Sequence, residues 1–165
     1  MDDEGFLLAI AAAPADNAPR LIYAVWLDEC GDVRGNYLRI IMLLADRIRR
    51  GIPWEDLKQS FEIAQAEAPI EWQYQVGPWF TVTLDSVQPE QKIHTIKAIR
   101  ACTFRGLSEA KVVLDEALKR GSSVVAEHLT LAEAEQLRKN LEIEPWPGGT
   151  GKPPCRTSLH LDNSG

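Results

Sequence analysis

The 165-residue sequence predicts an α+β protein: an N-terminal helical module followed by a β-α-α-β-α-β domain with a small three-stranded antiparallel sheet. Three observations predict it. Apolar residues recur at helical spacing from Phe6 to Phe61. From Phe80 the period changes to two, with Phe80, Val82 and Leu84 alternating with Thr81, Thr83 and Asp85, the pattern of a half-buried strand. An apolar share of 45% and a charged share of 25% are those of a soluble globular chain, with room for one ordinary domain or two small ones.

Each element follows from local signals. Phe6, Leu7 and Ile10 share one face of a first helix, which Pro14 ends because proline lacks the amide and clashes with the preceding turn. Asp16 and Pro19 open a second helix, with Leu21, Ile22, Val25 and Trp26 as its apolar face and Gly31 as a left-handed stop. Asp32 caps a third, burying Tyr37, Leu38, Ile41, Leu44 and Ile48 and stopping at Gly51. Pro53 opens a fourth, with Trp54, Leu57 and Phe61, and Pro69 ends it. After the strand at Phe80–Asp85, Pro89 suits the first turn of a helix running to about Phe104. Gly106 breaks that helix; the next buries Ala110, Val113, Leu114, Ala117 and Leu118 and ends at Gly121. Val124 and Val125 mark a short strand. Thr130 with Glu133 forms a capping box for a helix to about Asn140, and a brief strand is expected at Leu141–Glu144.

The domain boundaries implied are 1–75 for the helical module, 76–145 for the sheet domain and 146–165 for a flexible tail, since Pro and Gly at the density of PWPGGTGKPP neither bury a core nor continue a sheet. Trp72 and Trp79 are candidates for bridging the two halves.

Composition excludes several classes. Residues 1–75 carry 7 Lys/Arg against 13 Asp/Glu, so the net charge of −6 resides in the first half, unlike a general nucleic-acid binder. No apolar stretch reaches the roughly 18 residues of a membrane span. The run FLLAIAAAPADNA follows Asp2, Asp3 and Glu4, where a secretory signal needs positive charge. Cys30, Cys102 and Cys155 are distant and odd in number, which fits free thiols in a reducing cytoplasm rather than a disulfide framework or a zinc site. His94, His128 and His160 are scattered, and no nucleophile–base pair or ligand set accompanies them, so no catalytic residue, metal or cofactor is expected. Pro147–Lys152 carries the glycines and lysine of a phosphate loop without its register or a following helix.

The most informative stretch is EQKIHTIKAIRACTFRGLSEAK, residues 90–111. Thr95, Ala98, Ile99 and Cys102 form a small-residue stripe able to sit close on a sheet, with Ile93, Ile96, Lys97 and Arg100 as the neighbouring stripe. Two β-branched residues beside cations, with Lys92 and Lys111 nearby, suit an acidic helix of a partner. The alternative is that Ile93 and Ile96 merely widen the core face.

With Lys92, Ile96-Lys97-Ala98, Arg100, Thr103, Gly106-Leu107 and Glu109-Ala110-Lys111 in order, residues of about 79–144 resemble the C-terminal domain of the bacterial large-subunit ribosomal stalk protein. The resemblance implies a non-enzymatic protein-interaction module whose partner is a translational GTPase. The positions matching that family's docking surface are Lys92, Ile93, Ile96, Lys97, Arg100, Leu107, Glu109 and Lys111. Where the family has glycine-aliphatic-glycine-leucine, this chain has Phe104-Arg105-Gly106-Leu107; phenylalanine in a left-handed slot costs about 1 kcal/mol, so the turn is expected to differ. Two other readings compete: an adaptor resembling those that feed a Clp-type protease, and an RNA-contacting accessory protein using Lys92, Lys97, Arg100, Arg105 and Lys111. Separately, Pro19-Arg20-Leu21, Tyr23-Ala24, Trp26-Leu27, Gly31-Asp32 and Arg34-Gly35 make residues of about 4–44 similar to the repeat-companion domain of planctomycete-type bacteria, a module with no established activity.

Overall fold

The computed structural model describes residues 2–143 and 153–162. These form two compact units, residues 2–79 with 161–162, and residues 80–143 with 153–160.

The first unit is helical: α1 (Asp3–Ala12), α2 (Ala18–Glu29), α3 (Arg34–Arg49), α4 (Lys58–Glu67) and α5 (Ile70–Val76). Asp2 caps α1 by accepting the Gly5 amide at 3.0 Å. Asp16 accepts the Ala18 amide at the mouth of α2, where Pro19 occupies the first turn. Gly31 and Gly51 close α2 and α3 in the left-handed conformation, as their placement predicts. Asp32 accepts the Arg34 amide at 2.9 Å at the start of α3, whose Tyr37, Leu38, Ile41 and Leu44 are buried. Past Pro53 the chain makes a 3-10 turn at Glu55–Leu57 before α4, so this helix starts later than the proline suggests. Helix α5 has no counterpart among the sequence expectations; Gln73 closes the α4–α5 corner by donating to the carbonyls of Gln65 and Ala68.

The buried face of α2 corrects the sequence reading. Leu21, Ile22 and Val25 are exposed, and the helix instead buries Arg20, Tyr23, Ala24 and Leu27. Hydrogen bonds and aromatic stacking select this face over the more apolar one. Tyr23 stacks on Phe6 with centroids 4.8 Å apart, donates its hydroxyl proton to Asp3 and accepts from Trp72 Nε1 at 3.1 Å. Arg34 completes the cluster: it pairs with Asp32 at 2.7 Å, reaches Asp3 at 3.1 Å, and lies 5.1 Å from the Trp72 ring centre. Trp72 is therefore a core residue of the first unit, to which Trp79 also belongs.

Burial, and then the bond to Asp3, push the Tyr23 phenol up to about 12. A raised phenol pKa favours the protonated folded state. That stabilisation is complete below the ordinary tyrosine pKa of about 10 and vanishes as pH climbs through the folded value. Tyr23→Phe should remove part of the alkaline sensitivity of the helical unit. A pH titration of unfolding that is superimposable for variant and wild type between about 10 and 12 would refute the assignment.

The second unit runs β1 (Phe80–Val87), α6 (Lys92–Thr103), α7 (Leu107–Arg120), β2 (Ser123–Leu129), α8 (Leu131–Glu142) and β3 (Cys155–Leu161), with a 3-10 turn at Pro89–Gln91. The sheet order is β2-β1-β3, and β1 pairs antiparallel with β2 through Phe80↔Leu129 and Leu84↔Ser123. Phe80, Val82 and Leu84 are fully buried, as their alternation predicts. They pack with Ile99 of α6, Val113 and Leu114 of α7, and Leu131 and Leu141 of α8 as the core of this unit. The capping box of α8 is present: Glu133 accepts the Thr130 amide at 3.0 Å, and Thr130 accepts that of Glu133.

The third strand is not where the sequence places it. Leu141 and Glu142 finish α8, which outlasts Asn140, and the strand comes from Cys155–Leu161, inside the segment assigned to a flexible tail. Leu141 remains helical because it is a core residue of the α8 face, 0% exposed. The strand is fastened to the helix end: Glu142 Oε1 accepts the Thr157 amide at 2.9 Å and its hydroxyl at 2.6 Å, and the buried Cys155 thiol meets the Leu141 carbonyl. Pro147–Lys152, with its phosphate-loop composition, lies outside the described residues.

Candidate protein-docking surface

Helices α6 and α7 pack against each other over the sheet. The inner stripe of α6 is the one the small residues mark: Thr95 and Ile99 are buried and Ala98 and Cys102 partly so. The neighbouring stripe faces outward. Ile93 is 71% exposed, so it does not widen the core, whereas Ile96 is half-buried and anchors the stripe. Lys92, Lys97 and Arg100 are exposed on the same helix.

On α7, Leu107 is 58% exposed, and Lys111 follows one turn later on the same face, also exposed. Glu109 uses its carboxylate locally, accepting the Gly106 amide at 2.9 Å, which satisfies a free donor at the start of α7. The eight positions thus lie on two helices packed together, with exposed isoleucine and leucine among four cations. Such a surface buries apolar area and steers an acidic partner in one docking event.

The turn between the helices departs from expectation in the opposite sense. Phe104 does take the left-handed conformation, φ 56° and ψ 15°, at the end of α6. Both helices pack on the sheet, and only Phe104, Arg105 and Gly106 link them. The side chain goes to solvent, 95% exposed. Sequence reasoning also misses a groove of about 580 Å³ beside this turn, walled by β2 and α8. Its lining residues are spread over three segments that no linear motif connects. Among the described residues no group of three or more His, Cys, Asp and Glu could hold a metal ion, and no helix is long and apolar enough to cross a membrane.

The second unit is thus a small α+β domain of three strands and three helices, with this stripe on its outer face. Residues 80–144 match the family model of the ribosomal protein L7/L12 C-terminal domain. The chain is 44% identical over 77 residues to large ribosomal subunit protein bL12 of Chloroherpeton thalassium, covering 47% of this chain and 54% of that protein. It is also 44% identical over 63 residues to bL12 of Thiobacillus denitrificans, 38% and 46% of the two chains, and 39% identical over 79 residues to bL12 of Xylella fastidiosa, 48% and 57%. The chain spans about half the length of these relatives. In this chain β3 follows the matched segment.

Proposed function

We propose that the second unit is a non-catalytic docking domain of the ribosomal stalk type, acting in the cytoplasm, which binds an acidic helix of a translational GTPase through Lys92, Ile93, Ile96, Lys97, Arg100, Leu107, Glu109 and Lys111. The observation that carries the reading is the exposure of Ile93 and Leu107 amid Lys92, Lys97, Arg100 and Lys111. Isolated exposed apolar residues are ordinary, but a set of them ringed by like charges on two adjacent helices has the make-up of an interface.

The first unit, with residues of about 4–44 as a repeat-companion-like module, is a scaffold rather than a second docking site. Its hallmark residues are occupied structurally. Arg20 binds backbone carbonyls, Tyr23 and Arg34 meet on Asp3, and a side chain at Gly35 would come within 2.4 Å of Asp28 Oδ1.

The test is capture of a purified translational GTPase on immobilised full-length protein. The double variant Ile96→Ala/Lys97→Glu should weaken binding about tenfold or more, with wild-type salt dependence reduced, because it removes a half-buried anchor and reverses a steering charge. Since Lys97 is exposed and Ile96 half-buried, the variant should remain folded, which circular dichroism checks. Equal capture of the folded variant and wild type would sink the proposal.

A further inference from the structure

The groove beside the α6–α7 turn is separate from the docking stripe. Val125, Leu129 and Leu137 give it an apolar part, the first and last of them nearly covered, and Glu133, Gln136 and Asn140 of α8 a polar one, with Glu127 on β2 and Arg105 at the turn. Among the described residues, two that are not glycine have positive φ, Phe104 and His128. Phe104 lines the groove, and His128 sits between Glu127 and Leu129, which also line it. Left-handed backbone at non-glycine residues costs free energy, and it collects where a site needs a side chain held in one place. Here the side chain so held is a phenyl ring that gains nothing from its own fold, being 95% exposed.

We propose that this groove is a self-association site, in which Phe104 of one copy enters the groove of a second copy of this chain and receives that copy's Phe104 in return. Three features on this surface select that occupant. Knob and socket are neighbours on one face, so a single two-fold axis engages both, as an isologous interface requires. The socket offers apolar side chains among polar ones and, at about 580 Å³, is within the usual range of ligand pockets, about 300–1,000 Å³, ample for a phenyl ring. The charges are self-complementary: Arg105 follows the knob directly, and the exposed Glu127 stands on the socket wall, so the axis that seats each ring brings Arg105 of one copy to Glu127 of the other.

The experiment is sedimentation equilibrium of the full chain over a concentration series, with thermal unfolding of each variant. Wild type should show a concentration-dependent monomer–dimer equilibrium. Phe104→Gly should raise the dimer dissociation constant about tenfold or more, as for a buried aromatic anchor. The same variant should melt at a higher temperature than wild-type monomer, because glycine takes the left-handed slot without strain. A rise in melting temperature with loss of dimer separates an interface role from a folding role. Glu127→Arg should also weaken the dimer, and Arg105→Glu/Glu127→Arg should restore it. The proposal is overturned if wild type stays monomeric to its solubility limit, if Phe104→Gly leaves the equilibrium unchanged, or if the charge-swapped pair associates no better than Glu127→Arg alone.

Discussion

Replacing Arg20 by methionine should cost the helical unit about 3 kcal/mol or more, a large share of the stability of a small domain. Arg20 is 0% exposed, yet among the described residues its guanidinium forms no ion pair with a carboxylate. It donates instead to three backbone carbonyls: Nε to Val76 at 2.6 Å, and Nη1 to Pro14 at 2.8 Å and Asp16 at 3.1 Å. One side chain therefore satisfies the end of α5 and the link between α1 and α2. Burial lowers its pKa and nearby Asp16 opposes that, so the charge is retained at a desolvation cost. Methionine matches the volume and removes that cost. It also leaves three carbonyls without a donor, at about 1–3 kcal/mol for each one kept from water, and this outweighs the gain. Lysine is no substitute, because a single ammonium cannot reproduce the planar fork. The surroundings are fitted to the guanidinium: Gly77 has φ 55°, and a Cβ there would lie 3.2 Å from Nη2 and from the Trp79 ring. Urea denaturation followed by far-ultraviolet circular dichroism measures the effect. A loss under about 1 kcal/mol would show that water replaces the missing donors and that the clamp is dispensable.

The same residue shows why the helical half is only partly legible in the sequence. Helix ends are readable because proline and glycine act on the backbone directly; Pro14, Gly31 and Gly51 end segments where they stand. The buried face of α2 is not readable, since apolarity favours Leu21, Ile22 and Val25 while the fold buries Arg20 and Tyr23. A buried arginine is paid for by partners distant in the chain, such as the carbonyl of Val76, and periodicity carries no trace of them. In the second half the outward stripe of α6 is legible at each position, because helical spacing alone separates Ile93 and Lys97 from Thr95 and Ile99. Phe104 defeats sequence reasoning for a related reason. Propensity argues against the left-handed slot, and the chain takes it all the same between two helices packed on the sheet.

Ending the chain after Ile143 should unfold the sheet domain, although the family match stops at residue 144 and the sequence alone sets the boundary at 145. Strand β1 is central in the sheet only because β3 covers its second edge. Without β3 the remnant is one antiparallel pair with an uncovered edge, and it depends on the helices packed on its one face for all further stability. The interactions that β3 supplies are specific. Truncation deprives the Gln88 amide of the Pro154 carbonyl, Asp85 of the Ser158 hydroxyl, and Thr83 of His160. Glu142 gives up both Thr157 donors at the end of α8, and the flank of that helix is stripped of Cys155, which is 1% exposed. At about 1 kcal/mol net for each hydrogen bond, together with the burial of Cys155 and Thr157, the cost comes to about 5 kcal/mol, comparable to the whole stability of a small domain. Strand β3 escapes a sequence reading because its inward residues begin with Cys155 and Thr157, small side chains that give a faint alternation after a proline- and glycine-rich run. Thr157→Val grades the effect: it keeps the shape and the amide but removes the hydroxyl from Glu142, and should cost about 1–2 kcal/mol. Thermal unfolding of the truncated chain and of this variant, beside wild type, decides the matter. A truncated chain that keeps the wild-type melting transition of the sheet domain would mean that β3 is an ornament on a domain already complete at α8, and the graded loss at Thr157 should then vanish with it.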